Sequence, residues 1–199
     1  MAASPALLLA AFPPELAGLD QRPPAGWRVA CTGIGALAAA VATARLLAAG
    51  TPPRVLFVGT CGAYDQRLGV GDRLAASEAL AVSLDLLEHR AYAPAGEVRR
   101  WPATLGPELV LPFPAHPVAV PPAITRTRAG AARLAALAPV EHLELTGVFA
   151  ACQAAGVPCG AALAVANRVG PEAHGEWRAN HERVSRDLLD ALAGAGVFG

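Results

Sequence analysis

Unbroken apolar runs of strand length alternate along this chain with longer segments whose apolar positions recur at helical spacing. Residues 5–11 form the first run and read as a buried strand, closed by Phe12-Pro13-Pro14-Glu15. A polar connection over residues 17–26 leads to a second strand at 27–32. Gly33-Ile34-Gly35 and an alanine-rich helix to residue 49 follow, stopped by Gly50 and Pro52-Pro53. Residues 54–58 read as a third strand ending in Gly59-Thr60-Cys61-Gly62, and residues 73–84 as another extended segment. Between 88 and 117 the pattern breaks up among Pro, Gly and charged residues, which predicts an irregular excursion. Residues 118–125 resume as strand and 128–137 as helix.

The run 141–170 is the most informative. Glu141 and Glu144 precede an apolar helix over 145–155. Gly156-Val157-Pro158 turns the chain, and a small-residue strand over 159–166 ends on Asn167. An amphipathic helix over 174–192 and a frayed tail over 194–199 complete the expectation. Strands alternating with helices, with no internal repeat, predict one α/β domain over 1–199, a three-layer α/β/α arrangement around a central mixed sheet.

Composition narrows the chemistry. The 199 residues carry zero formal net charge, so no electrostatic pull toward nucleic acid is expected. All sixteen basic residues are Arg, which excludes a Schiff-base or P-loop lysine. Cys31, Cys61, Cys152 and Cys159 form no C-x-x-C pair and are expected as buried free thiols, in keeping with a reducing compartment. Residues 6–12 have the hydrophobicity of a signal-peptide core, but no basic residue precedes them and Pro13-Pro14-Glu15 interrupts them. A soluble cytoplasmic protein without membrane association is expected.

Several polar residues stand at the ends of apolar runs, where sites on α/β folds lie. Gly33-Ile34-Gly35-Ala36-Leu37-Ala38 fits a loose dinucleotide fingerprint, but the next strand ends without the acid that would hold a ribose. A tight strand–helix turn is the other reading. Gly59-Thr60-Cys61-Gly62 allows a flat ligand close to the backbone. Glu15 is either a general base at a strand end or an ordinary carboxylate opening a helix. Asn167 can donate and accept at once, as a purine edge requires, or can satisfy local backbone. His181 reads by default as a surface helical His.

In chain order, Gly33-Ile34-Gly35, Gly59-Thr60-Cys61-Gly62, Val70-Gly71-Asp72, Glu141-x-Leu143-Glu144 and Asn167 together resemble the purine nucleoside phosphorylase and nucleosidase superfamily. Within it the pattern is most similar to futalosine hydrolases, which release hypoxanthine from futalosine in menaquinone synthesis. Their E-x-M-E appears as Glu141-His142-Leu143-Glu144. Their S-N-x-V-x-P-R-x-x-x-W appears as the run from Ala166 to Trp177, with Leu143, Ala166 and Glu172 replacing the usual Met, Ser and Arg. The resemblance implies that Glu15 activates water, Glu144 grips the ribose hydroxyls and Asn167 reads the base.

It thus implies Glu15 and Asn167 as catalytic residues, and Gly35, Thr60, Cys61, Gly62, Leu143, Glu144 and His181 as substrate-binding ones. No metal and no cofactor are expected. The partners implied are a small purine nucleoside and further copies of the same chain in a homo-oligomer. Asn180-His181-Glu182 also resembles trimeric purine nucleoside phosphorylases, where the His serves the 5′-hydroxyl. Phe57, however, stands where related phosphorylases carry a phosphate-binding Arg, and loss of that guanidinium favours water as nucleophile. The expectation is hydrolysis of a 6-oxopurine nucleoside, futalosine first. Phosphorolysis and a degenerate nucleoside-binding member are the alternatives.

Overall fold

In the computed structural model, which describes residues 4–199, the apolar runs become the strands of one eight-stranded sheet. The first three residues of the expected 1–199 domain lie outside the described residues. The strands are β1 (Ala6–Ala10), β2 (Trp27–Cys31), β3 (Val55–Ala63), β4 (Arg73–Ala81), β5 (Arg100–Pro102), β6 (Ala115–Val120), β7 (Val140–Glu141) and β8 (Cys159–Arg168). The helices are α1 (Ala36–Ala48), α2 (Leu84–Leu87), α3 (Arg128–Leu134), α4 (Leu145–Ala155) and α5 (Ala173–Gly194), with a 3-10 turn at Pro13–Leu16.

Strands β1, β3 and β8 are apolar at nearly every position because helices cover both faces of the sheet. Leu7, Leu9, Val55, Phe57, Ala161, Leu163 and Val165 point to one side, into a core with Ala39 and Leu47 of α1 and Leu145, Val148 and Phe149 of α4. Leu8, Ala10, Leu56, Val58, Ala162 and Ala164 point to the other, against Val184, Leu188, Leu189 and Leu192 of α5. Period-two strands between two helical layers give the expected α/β/α sandwich.

The sheet is mixed and partly closed. β2, β1, β3 and β8 run in parallel pairs. β8 then meets β4 antiparallel, β4 and β6 pair parallel, β6 and β7 pair parallel, and β7 returns antiparallel to β3. Five strands therefore form a ring. The last residues of β3 are shared by β7 and β8, which brings Gly62, Glu141 and Asn167 together.

Four local expectations are corrected. The 88–117 stretch contains β5 and the start of β6; its Pro102 sits on a sheet-edge strand, where a missing N–H is tolerated. The extended segment expected over 73–84 ends at Ala81, and Leu84–Leu87 is a helical turn. The tail is packed: Val197 is buried, and Phe198 stands edge-on to Trp27 at 5.7 Å. Cys31, at the end of edge strand β2, is exposed, whereas the other three cysteines are buried. Residues 6–10 form an interior strand between β2 and β3, and among the described residues no helix is long and apolar enough to cross a membrane.

Candidate active site

A cavity of about 280 Å³ opens where the carboxyl ends of β1, β3, β7 and β8 converge. Glu15, Thr60, Cys61, Gly62, Leu143, Glu144 and Asn167, all expected from the sequence, line it. Gly35 and His181 do not. Glu141 and His142 join the lining, as do Ile34, His174 and Trp177, which lie within motifs of the resemblance without an implied role, and Phe12 and Ile124, which no local sequence signal places there.

Glu15 follows β1 in the 3-10 turn and is 3% exposed. Pro13 and Pro14 start the turn, and the side chain folds back under the strand end. Glu15 Oε1 accepts from the Thr60 amide and the Thr60 hydroxyl, each at 2.8 Å, and Oε2 accepts from the Ala11 amide at 3.1 Å. Burial pushes the Glu15 pKa up to about 7, against the opposing pull of the Thr60 bonds. The group is thus poised to exchange a proton near neutrality.

The glycine-rich segment does not follow β3 but lies inside it, paired with β8 throughout. The reason is space rather than a turn. A Cβ on Gly59 would sit 3.2 Å from Glu15 Oε1 and 3.0 Å from Phe57. A Cβ on Gly62 would sit 2.8 Å from Val169 and 3.0 Å from Asn167 Nδ2. Cys61, between them, is buried, and burial holds its thiol far above the ordinary range, so it is no nucleophile at neutral pH.

Asn167 owes its place to a bulge. Cys61 pairs with Val165 but Gly62 pairs with Asn167, so Ala166 is an extra residue in β8. Helix α5 fastens both sides of the irregularity. Asn180 Nδ2 donates to the Ala166 carbonyl at 3.2 Å, and Glu176 Oε2 accepts from the Arg168 amide at 2.7 Å. Asn167 is 8% exposed; its Nδ2 donates to the Arg168 carbonyl at 3.0 Å, and among the described residues nothing donates to its Oδ1. An acceptor and the second amide proton remain for a ligand.

Glu144 opens α4 and reaches across to α1. Its Oε1 accepts from the Gly35 amide at 2.7 Å. Gly35 has φ 92°, a conformation only glycine adopts cheaply, and its amide points out of the α1 N-terminus. The Gly33-Ile34-Gly35 turn therefore anchors a carboxylate, and a dinucleotide phosphate could not share that amide. His142 is fully buried, and burial lowers its pKa, so the ring is neutral. Its Nδ1 accepts from the Glu144 amide at 3.1 Å, and the 3.2 Å approach to Glu144 Oε2 is not an ion pair. Glu141 accepts from the Thr125 amide at 3.2 Å, which holds the loop bearing Ile124 at the cavity mouth.

The mouth is aromatic and apolar. Trp177 stacks between His181 at 4.2 Å and His174 at 6.0 Å, and Phe12 lies 5.8 Å away. His181 is thus a packing partner of Trp177 rather than part of the lining. Ile34 and Ile124 are 68% and 57% exposed. The lining includes three glutamates and no arginine, a surface that repels anions and favours a ligand in which positive charge develops.

Solved structures with this architecture include the 5′-methylthioadenosine/S-adenosylhomocysteine nucleosidase of Helicobacter pylori, with TM-score 0.83, 16% identity and 98% of both chains covered. Futalosine hydrolase of the same organism superposes with TM-score 0.79 and 17% identity over 96% of this chain and 98% of that one. The nucleosidase of Neisseria meningitidis gives TM-score 0.80 and 16% identity over 98% of this chain and 99% of that one. At these identities the likeness is one of fold. No curated protein matches the chain in sequence. The sequence model of the phosphorylase superfamily matches residues 27–140, more than half of the chain, and with the shared fold it places this protein in that superfamily.

Proposed function

We propose that the protein hydrolyses the N-glycosidic bond of a purine nucleoside, with water as nucleophile. Glu15 carries the reading: it is a buried carboxylate at the cavity wall, held by three donors, with its pKa brought to about 7. Oε1 has both lone-pair positions occupied, whereas Oε2 has one, so one position is left to take a proton from water. The glycosidic bond loosens first, and positive charge develops on the sugar. Glu144 holds the 2′- and 3′-hydroxyls. Asn167 faces N7 and O6 of the departing base and donates its remaining Nδ2 proton to that edge. Its amide suits a 6-oxopurine, on which charge spreads to O6, better than adenine, whose departure calls for a proton donor. Futalosine hydrolase and the methylthioadenosine nucleosidases both share this fold, and Asn167 favours the first as the model for substrate choice.

Phosphorolysis is disfavoured by the arginine-free lining, because a dianion would lie among Glu15, Glu141 and Glu144. A homo-oligomer is part of the same proposal. Ile34 in the turn before α1, with Leu37 and Val41 on the helix, makes an exposed apolar surface beside the cavity mouth, the kind a second subunit covers. The test is a panel of inosine, futalosine, adenosine and methylthioadenosine, assayed with and without phosphate. Turnover of a 6-oxopurine nucleoside in phosphate-free buffer is expected. Strict phosphate dependence overturns hydrolysis, and tight binding without turnover across the panel identifies a binding protein.

A further inference from the structure

Trp177 lines the cavity, and the proposed substrate contacts give it no role. His181 stacks on the indole at 4.2 Å with a 13° interplanar angle, and His174 lies near-parallel to it at 6.0 Å with 17°. Phe12 closes a third side at 5.8 Å. The indole also presents a polar edge. That edge is committed: Nε1 donates to Thr60 Oγ1 at 3.1 Å, and Thr60 Oγ1 bonds Glu15 Oε1 at 2.8 Å.

We propose that Trp177 is a positioning residue for Glu15, acting through Thr60 to fix the direction of the Thr60 hydroxyl proton and hence the carboxylate. This rests on Glu15 being the general base. An indole N–H can only donate, so it fills an acceptor position on Thr60 Oγ1 and turns the single hydroxyl proton toward Glu15. Consecutive donors polarise one another, so the Thr60 bond to Glu15 is stronger with the indole in place than without it. Together with the Thr60 amide at 2.8 Å it saturates Oε1. Proton uptake is thereby directed to Oε2, whose other partner is the Ala11 amide at 3.1 Å. The stacked His174–Trp177–His181 face of α5 holds the indole edge in this position, so the last helix of the chain sets the geometry of a carboxylate near its beginning. Titratable groups around the pair are Glu144 at the start of α4, Cys61 on β3 and Cys31 at the end of β2, and, beyond the indole, His174 and His181.

Trp177→Phe keeps the stack and removes the donor; Thr60→Val removes the hydroxyl and keeps the amide. A weaker donor set favours the neutral acid, so the acid limb of the rate profile moves to higher pH in both variants, by about 0.3–1 unit. Turnover at pH 7 falls by about 1.5- to 5-fold in Trp177→Phe and recovers toward pH 9, where Glu15 is ionised. The double variant is no worse than Thr60→Val alone, because the indole acts through the hydroxyl. Thr60→Ser recovers the wild-type limb. The same titration is read without substrate from the pH dependence of urea unfolding, so a loss of activity by misfolding does not hide the result. An unmoved acid limb in Trp177→Phe, in both readouts, overturns the inference; so does multiplication of the two single effects. Full activity in Glu15→Gln, by contrast, removes the general-base reading itself.

Discussion

Replacing Glu15 by glutamine is expected to make the protein more stable and far less active, in a way that depends on pH. Burial raises the Glu15 pKa from an ordinary 4.5 to about 7 in the folded chain. Between those values the unfolded state ionises and the folded state does not. Stability is therefore fully present below pH 4.5 and is lost as pH rises toward 7. With 1.36 kcal/mol per pKa unit, the full difference is about 3 kcal/mol, and wild-type protein loses about 2.5 kcal/mol of it between pH 5 and pH 8. The carboxamide of the Glu15→Gln variant cannot ionise and escapes that loss. It has its own cost, because its NH2 must face either the Ala11 amide or the Thr60 donors, a mismatch of about 1 kcal/mol. The variant should thus be near parity at pH 5 and about 2–2.5 kcal/mol more stable at pH 8. Urea unfolding of both proteins at the two pH values, at one fixed protein concentration, measures this. A stability difference that does not change with pH would show that Glu15 ionises normally in the folded chain, and the argument from burial would fail. Hydrolysis should fall by about 10²–10⁴-fold in the same variant.

Three further outcomes are expected. The kcat/KM of the wild-type enzyme should rise with pH to a plateau with an apparent pKa near 7, since the base must be ionised; a flat profile from pH 5 to 9 would exclude Glu15. Asn167→Asp should shift the ratio of kcat/KM values toward 6-aminopurine nucleosides by about 10- to 100-fold, measured on paired inosine and adenosine substrates. Gly147→Ala should cost about 1–3 kcal/mol in thermal or urea unfolding, because its Cβ would collide with the Ala36 carbonyl and approach Ala40 N to 2.9 Å, forcing α1 from α4. Its KM should also rise, because the Gly35–Glu144 bond spans that interface.

The sequence by itself determined the layers. Apolar runs such as 5–11 and 159–166 are buried on both faces whatever their partners, and the 145–155 helix follows from spacing and from Gly156, which takes φ 66° at its end. Glu15, Glu144 and Asn167, which the family resemblance singles out where the local pattern left other readings open, do meet in one cavity. Their surroundings were not legible. Glycines 59 and 62 read as the end of a strand, yet they lie within it, because their lack of side chains makes room for Glu15 and Asn167 rather than for a turn. The Ala166 bulge is invisible in a run of small residues and exists only in the pairing of β8 with β3. Gly35 and Glu144 are 109 residues apart, and Trp177 and Thr60 are 117 apart. Such contacts carry no local signal, since side-chain periodicity records which face is buried and not what is buried against it. The ionisation of Glu15 belongs to the same class. A carboxylate's pKa follows from the water removed around it and the donors brought to it, and the donors on Oε1 came from β3, 45 residues further along the chain.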